Sequence, residues 1–377
     1  MHYFQTSWQT IQRIAQATGR FEDVAGFLVL ARHATGKALA GYPPYRFSGA
    51  GVNSVHEKAG MSEEAAQAVI DRLRALGVIR PAPAEVRCCS RYARWEVMQG
   101  ELDLALPHAF VDSPKMFSAS TPLRRLRTAV ACDEVYAERL ENVDPAALRL
   151  DALMVMLGIY RHTSMKDYGG LDPACVYRHW GVPHRAPQGA AMRWESEPEH
   201  RDSRAWPDFQ RACMAHALRD PQAPELSHEE HHRFWNAFYS IERMGLVYEA
   251  VALFDGNAVG DGARLQFTLR INDYHAGAVS KDGDPCLLRN VEVKEQSARL
   301  GCYHPPGVRK DDEGNPLPEG MWVVLPQRIR EGALVGIWRP RFRASTPDVG
   351  AWLHKENAAI GSVAESLMPT DPWSNQW

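Results

Sequence analysis

Three sets of residues in this 377-residue chain have types and spacings that could do chemistry. One is a zinc pattern. His228-Glu229-Glu230-His231-His232 satisfies H-E-x-x-H, in which two histidines one helical turn apart hold the metal and the glutamate acts as base. Another is arginine gathered on short segments. Arg80, Arg87, Arg91 and Arg94 stand against a single Glu85, Leu123-Arg124-Arg125-Leu126-Arg127 carries three arginines, and Arg339, Arg341 and Arg343 alternate with Trp338, Pro340 and Phe342. Guanidinium groups suit phosphate because their donor fork matches two oxygens. The last is a helix face. His232, Asn236, Ser240 and Arg243 recur at i, i+4, i+8 and i+11, with Arg233 beside them. Asparagine with adenine and arginine with guanine are chemically apt pairings for reading base edges.

A zinc peptidase using His228, Glu229 and His232 is kept as an alternative, and three features count against it. The motif sits in the first turn after the cap Ser227, where helix ends fray. Its histidines lie opposite the apolar stripe of the same helix. No third ligand stands at the expected spacing, Glu242 and Glu249 being only loose candidates. No P-loop, G-x-G-x-x-G or G-x-S-x-G is present. The expectation is a non-enzymatic protein without metal or cofactor.

The elements that must carry these groups can be derived from periodicity. Phe21, Val24, Ala25, Leu28 and Ala31 predict an amphipathic helix over Phe21–Arg32, and beyond it a turn-rich link and a short helical stretch over Ser48–Ala59. Ser62 is an N-cap with Glu63 and Glu64 in the first turn, and Gly77 stands at the C′ position of the helix that ends at Leu76. Its outward face shows Glu63, Gln67, Asp71 and Arg74, so Gln67 and Arg74 are the groups it offers to DNA. Val78-Ile79-Arg80 reads as a strand, Pro81–Ala84 as a turn and Val86–Val97 as the return strand. Later, Leu150–Arg161 is a buried helix, Gly170-Leu171-Asp172 a short strand and Pro173–Trp180 a short helix. Within a Pro-rich insertion at 181–224, Trp206–Leu218 forms a further helix. Ser227 and Glu230 make a capping box for a helix to Met244, with Phe234, Phe238 and Ile241 as its core stripe and Gly245 at its end. Leu246–Phe254 and Arg264–Ile271 form a hairpin. Extended pieces are expected at Glu101–Leu106, Met321–Arg328 and Ala333–Arg343. Pro340 marks the last of these as an edge strand. A C-terminal helix is expected over Pro347–Leu367, before a Pro/Trp tail.

Helix, short helix, tight turn, helix and hairpin is the order of a winged helix-turn-helix. The segment AGMSEEAAQAVIDRLRALGVIRP resembles that superfamily, and FWNAFYSIERMGLVYEA echoes it. The whole layout resembles tandem winged-helix DNA-binding proteins of the plasmid replication initiator and mobile-element regulator type. The fold class expected is α+β and helix-dominated. It comprises a first winged helix (1–110), a basic linker (111–149), a second winged helix (150–275) with the 181–224 insertion, and a mixed C-terminal region (276–377). The resemblance implies double-stranded DNA as partner, in a regulator or a replication and maintenance factor. The acidic face of the first long helix leaves open a homodimer or a protein-binding scaffold.

Composition limits how such a protein could work. Forty-three Lys+Arg against 46 Asp+Glu give a formal net charge of −3, so any polyanion contact must come from local patches. A 45% hydrophobic, 24% charged chain excludes a mainly disordered one. No apolar run reaches the ~18 residues of a membrane span. Seven cysteines without a C-x-x-C fit neither a disulfide framework nor a zinc knuckle. The opening Met-His-Tyr-Phe-Gln-Thr lacks the charged and apolar regions of a secretory signal, so a cytoplasmic location is expected.

Overall fold

The computed structural model describes residues 3–89, 92–112, 121–129, 144–164, 169–172, 175–179, 184–185, 191–194, 199–201, 207–220, 222–223, 225–255, 264–270, 287–289, 301–303, 321–324, 333–344, 346–348 and 350–351. They form a helix-rich α+β protein with small antiparallel sheets. The chain divides into two units. The first comprises Met1–His162, Pro207–Tyr248 and Pro340–Thr346, and the second Thr163–Trp206, Glu249–Arg339 and Pro347–Trp377. No helix among the described residues is long and apolar enough to cross a membrane.

The first unit opens with β1 (Tyr3–Thr6), α1 (Trp8–Thr18), α2 (Phe21–Arg32), β2 (Phe47–Ser48), α3 (Val52–Ala59) and α4 (Glu63–Ala75). Then come β3 (Ile79–Pro81), α5 (Ala84–Cys89), β4 (Trp95–Val97), β5 (Leu104–Pro107), α6 (Pro122–Leu126) and α7 (Pro145–His162). Helices α8 (Pro207–Met214) and α9 (His228–Arg243) belong to it as well. α2 and α7 are the cores of two helix triplets. Each is apolar almost all round and buried along nearly its whole length, as a helix surrounded by others must be. α2 packs on α3 and α4, α7 on α8 and α9, and the two central helices touch each other. A glycine sets the closest approach in each triplet: Gly26 leaves no room for a Cβ against Val69 of α4, nor does Gly158 against Cys213 of α8. α1 ties the triplets together, Gln12 Nε2 donating to the Ala212 carbonyl (3.1 Å) and Gln16 Nε2 to that of Ala215 (3.3 Å).

One buried carboxylate locks each triplet. Asp23 of α2, fully buried, receives Arg72 of α4 through Nε at 2.9 Å and Nη2 at 2.7 Å. Asp151 of α7, also buried, receives Arg233 of α9 at 2.9 and 2.8 Å and lies 2.8 Å from His216 Nε2. α4 and α9 also end alike. After α4, Gly77 (φ 66°) lets Val78 N–H reach the Leu73 carbonyl at 3.1 Å; after α9, Gly245 (φ 64°) does the same for Leu246 and Ile241 at 3.1 Å.

β2, β4 and β3 form a three-stranded sheet in that order, with Phe47 opposite Glu96 and Ile79 opposite Val97. β1 pairs with β5, an unforeseen pairing of Phe4 with Leu106 across the module. The return strand expected over Val86–Val97 is replaced by α5 and a short β4. Pro83 precedes α5 with φ suited to a helix start and accepts Arg87 N–H at 3.1 Å. Val86 then packs on Phe47, Ala82 and Ala93, so the apolar–polar alternation of Glu85–Cys88 reflects one buried residue on a helical turn.

The second unit is built on strands. β6 (Thr163–Ser164) pairs with β7 (Gly170–Leu171). Five-stranded sheets arise from β8 (Tyr177–His179), β9 (His184–Arg185), β10 (Ala191–Trp194), β11 (Glu199–Arg201), β12 (Val247–Asp255), β13 (Arg264–Arg270), β14 (Leu287–Arg289), β15 (Gly301–Tyr303), β16 (Met321–Val324) and β17 (Ala333–Pro340). Their orders are β14-β15-β16-β10-β9 and β11-β8-β17-β12-β13. The β12–β13 hairpin forms as expected, Ala250 facing Arg270. Two expectations fail. The helix over Pro173–Trp180 gives way to β8, whose backbone pairs with β11 and β17. β17 is not an edge strand: it lies between β8 and β12, and Pro340 is tolerated as its last residue. Most of the helix expected over Pro347–Leu367, the tail, and Arg91 lie outside the described residues.

Removing a buried carboxylate strands its arginine, which costs about 3 kcal/mol at the lower end of the range for broken buried pairs. Asp23→Ala and Asp151→Ala are each expected to lower the urea stability of the first unit by that amount. A loss under about 1 kcal/mol in either would show that solvent replaces the carboxylate.

Candidate nucleic-acid interface

β4 gathers three of the expected arginines on consecutive residues. Arg94 opens the segment, exposed, its guanidinium lying across Gly51 at the start of α3. Trp95 carries the guanidinium of Arg74 5.9 Å from its ring centroid, and Arg74 also lies 3.7 Å from Asp71. Glu96 holds Arg80, its pairing partner on β3, through Nε at 2.6 Å. Arg87 projects from α5, which links those strands, and is exposed. Arg87 and Arg94 make no ion pair among the described residues. These four side chains surround one small sheet.

Glu96 organises the group from below. Its side chain is fully buried and also accepts Arg46 Nε at 2.9 Å. Burial opposes its ionisation, but hydrogen bonds from Arg80 and Arg46 outweigh that and hold its carboxyl below the usual carboxylate range. Arg46 carries no local signal of this role, because it stands 50 residues from Glu96. α4 contributes less. Gln67 is exposed but donates to Asp71 at 3.0 Å, among exposed Glu63 and Glu64.

The α9 face is not the wet surface expected. Asn236 and Ser240 are buried, because α9 is covered beyond its apolar stripe, and Arg233 is consumed by Asp151. Of that set only Arg243 is exposed, with His232 half-buried. His228 and His232 bring their Nε2 atoms to 3.3 Å, yet Glu229 pairs with Arg219 at 2.6 Å. Among the described residues no group of three metal-ligating side chains occurs. Cys213 is equally unsuited to chemistry, since complete burial pushes its thiol up.

The alternating ribbon at the end of β17 is also broken up. Trp338 and Arg339 are both buried, and the chain leaves the strand after Pro340. Arg341 is exposed, while Arg343 stacks over Tyr248 at 5.7 Å and donates to its hydroxyl. In the basic segment, Arg125 donates from Nη1 to the Met244 carbonyl at 3.1 Å, where a cation satisfies the end of α9. Arg124 and Arg127 turn instead toward Gly60, between α3 and α4. No protein family, characterised protein or solved structure matches the chain.

Because the folded-state value of Glu96 lies below its unfolded one, its ion pairs stabilise fully above the ordinary carboxylate range. That stability is lost as pH falls through the depressed value. Glu96→Gln is expected to cost about 1–2 kcal/mol at neutral pH and to flatten the acid limb of a stability–pH profile. An unchanged acid limb would mean that other carboxylates carry it.

Proposed function

We propose that this chain is a non-enzymatic duplex DNA-binding protein. It would grip the phosphate backbone mainly through the arginines around the β2-β4-β3 sheet. The single observation that carries the reading is that Arg74, Arg80 and Arg94 converge on β4 while Arg87 projects from the link between β3 and β4. The succession α2, β2, α3, α4, β3, β4, with strand order β2-β4-β3, is that of a winged helix-turn-helix. The succession α7, β8, α8, α9, β12, β17 supports a second copy, for its strands run β8-β17-β12. Backbone hydrogen bonds agree: Met98 N–H returns to the Val78 carbonyl at 2.8 Å, and Arg341 N–H to that of Leu246 at 2.9 Å.

On this reading phosphate contacts dominate and base reading is slight. The exposed face of α4 is mainly acidic, and the base-reading side chains expected on α9 are buried or paired. Such a factor would fit the regulator or replication class that the layout resembles.

Duplex and single-stranded DNA of random sequence, titrated at two ionic strengths, test it. Binding to duplex should weaken steeply with salt, and Arg87→Glu with Arg94→Glu should reduce affinity about tenfold or more and flatten the salt slope by about two. Wild-type affinity in that double variant would remove the sheet from the interface.

A further inference from the structure

Arg124 and Arg127 share a notch that the wing does not include. Gly60, the C′ residue of α3, has φ 70°, a conformation that favours glycine. Where a Cβ on Gly60 would stand, Arg124 Nε lies 3.1 Å away, Arg124 Nη2 3.7 Å and Arg127 Nη1 3.6 Å. The missing side chain thus opens a space floored by backbone and flanked by two guanidinium heads. Thr121 fixes one of them, its hydroxyl accepting the backbone N–H of Arg124 at 3.3 Å as the cap of α6. A hydrogen bond between His56 Nδ1 and the Met61 carbonyl closes the turn on the other side.

Two like charges held this close repel unless an anion lies between them. No carboxylate supplies one: Arg124 and Arg127 make no ion pair among the described residues. Lys58 and Arg32, the neighbouring cations, already share Asp112. His33, beside them, has its imidazole pKa pulled down by burial first and then by the positive charge of Lys58. The surroundings are therefore rich in positive charge even after Asp112 is counted.

We infer that the Gly60 notch is a binding site for a tetrahedral oxyanion, a phosphodiester of the DNA backbone, clamped between Arg124 and Arg127. Planar donor forks on either side suit its two free oxygens. The inference rests on the DNA-binding reading and adds to it a second anchor, at the turn that leads into α4. Glu63 and Glu64 open that helix and would repel a duplex there. The two arginines supply the opposing charge beside them.

Fluorescence anisotropy with a labelled random duplex tests the clamp in the full chain. Arg124→Gln with Arg127→Gln should weaken binding about tenfold and make the salt slope shallower by about one, the share of one phosphate. Thermal melting should not change, because neither head has an ion-pair partner among the described residues to lose. Arg124→Lys with Arg127→Lys, which keeps the charge, should retain the slope and so separates lost charge from a folding defect. If the glutamine variant binds like wild type while the Arg87/Arg94 variant is impaired, the clamp is wrong and the DNA reading stands. If wild type itself does not bind duplex at low salt, the DNA reading has failed and takes the clamp with it.

Discussion

Two buried aspartates set the terms for the rest of the first unit. α2 and α7 are otherwise apolar helices, and a carboxylate in such a place is tolerable only when paired and hydrogen-bonded. Asp23 and Asp151 each meet that condition with a two-pronged arginine from the third helix of their triplet, Arg72 or Arg233. A fork-to-carboxylate contact is directional, so it fixes the rotation of that helix about its own axis as well as its distance. Gly26 and Gly158 make the matching steric adjustment, letting a neighbouring side chain seat where a Cβ would block it. The consequence for recognition is direct. An arginine spent on locking the helix is withdrawn from any groove the helix could enter, and positive charge available to a polyanion is shifted to the strands and turns.

That shift explains which parts of the site could be read from sequence. Caps were legible because they are local: Ser62 with Gly77, and Ser227 with Glu230 and Gly245, act within a few residues. The four arginines near β4 were legible as a cluster for the same reason, since short strands keep sequence neighbours together. Asn236 was not. Its face of α9 looked free because periodicity reveals the apolar stripe and says nothing of what else packs on a helix. Arg339 failed for a related reason. Alternation predicted a basic face, but β17 lies inside its sheet, where the side chains at its end are buried. β1 went unseen because its partner β5 comes about a hundred residues later, and no four-residue segment announces so distant a pairing.

The two capped helices show how far a local code reaches. After α4 and α9 the chain turns through glycine with the same hydrogen bonds and enters a strand, so local chemistry is enough to build both ends. The connections beyond those strands differ. Between β3 and β4 the chain spends only α5 and its flanks, which packs Val86 onto the sheet and leaves Arg87 and Arg94 outward. Between β12 and β17 it makes β13 through β16 before the strand order closes. The first sheet is thus small, with its cations concentrated on three or four positions; the corresponding positions of the second are occupied by backbone pairing to further strands. Of the two succession patterns, the first is the one suited to gripping phosphate.

Net charge then bears on orientation more than on affinity. With a formal charge of −3 the whole protein repels a polyanion weakly, but exposed charges are screened beyond about 8–10 Å at physiological salt. Within that distance a duplex feels only the patch it faces. The β4 arginines attract it, while Glu63, Glu64 and Asp71 on the outward face of α4 repel it. One small module therefore carries opposite signs on neighbouring faces, and a duplex approaching by the wrong face is turned away before contact. An evenly basic surface would bind more tightly and in many poses. Acid placed beside the arginines restricts the poses, which makes the overall surplus of carboxylates compatible with a backbone-gripping protein.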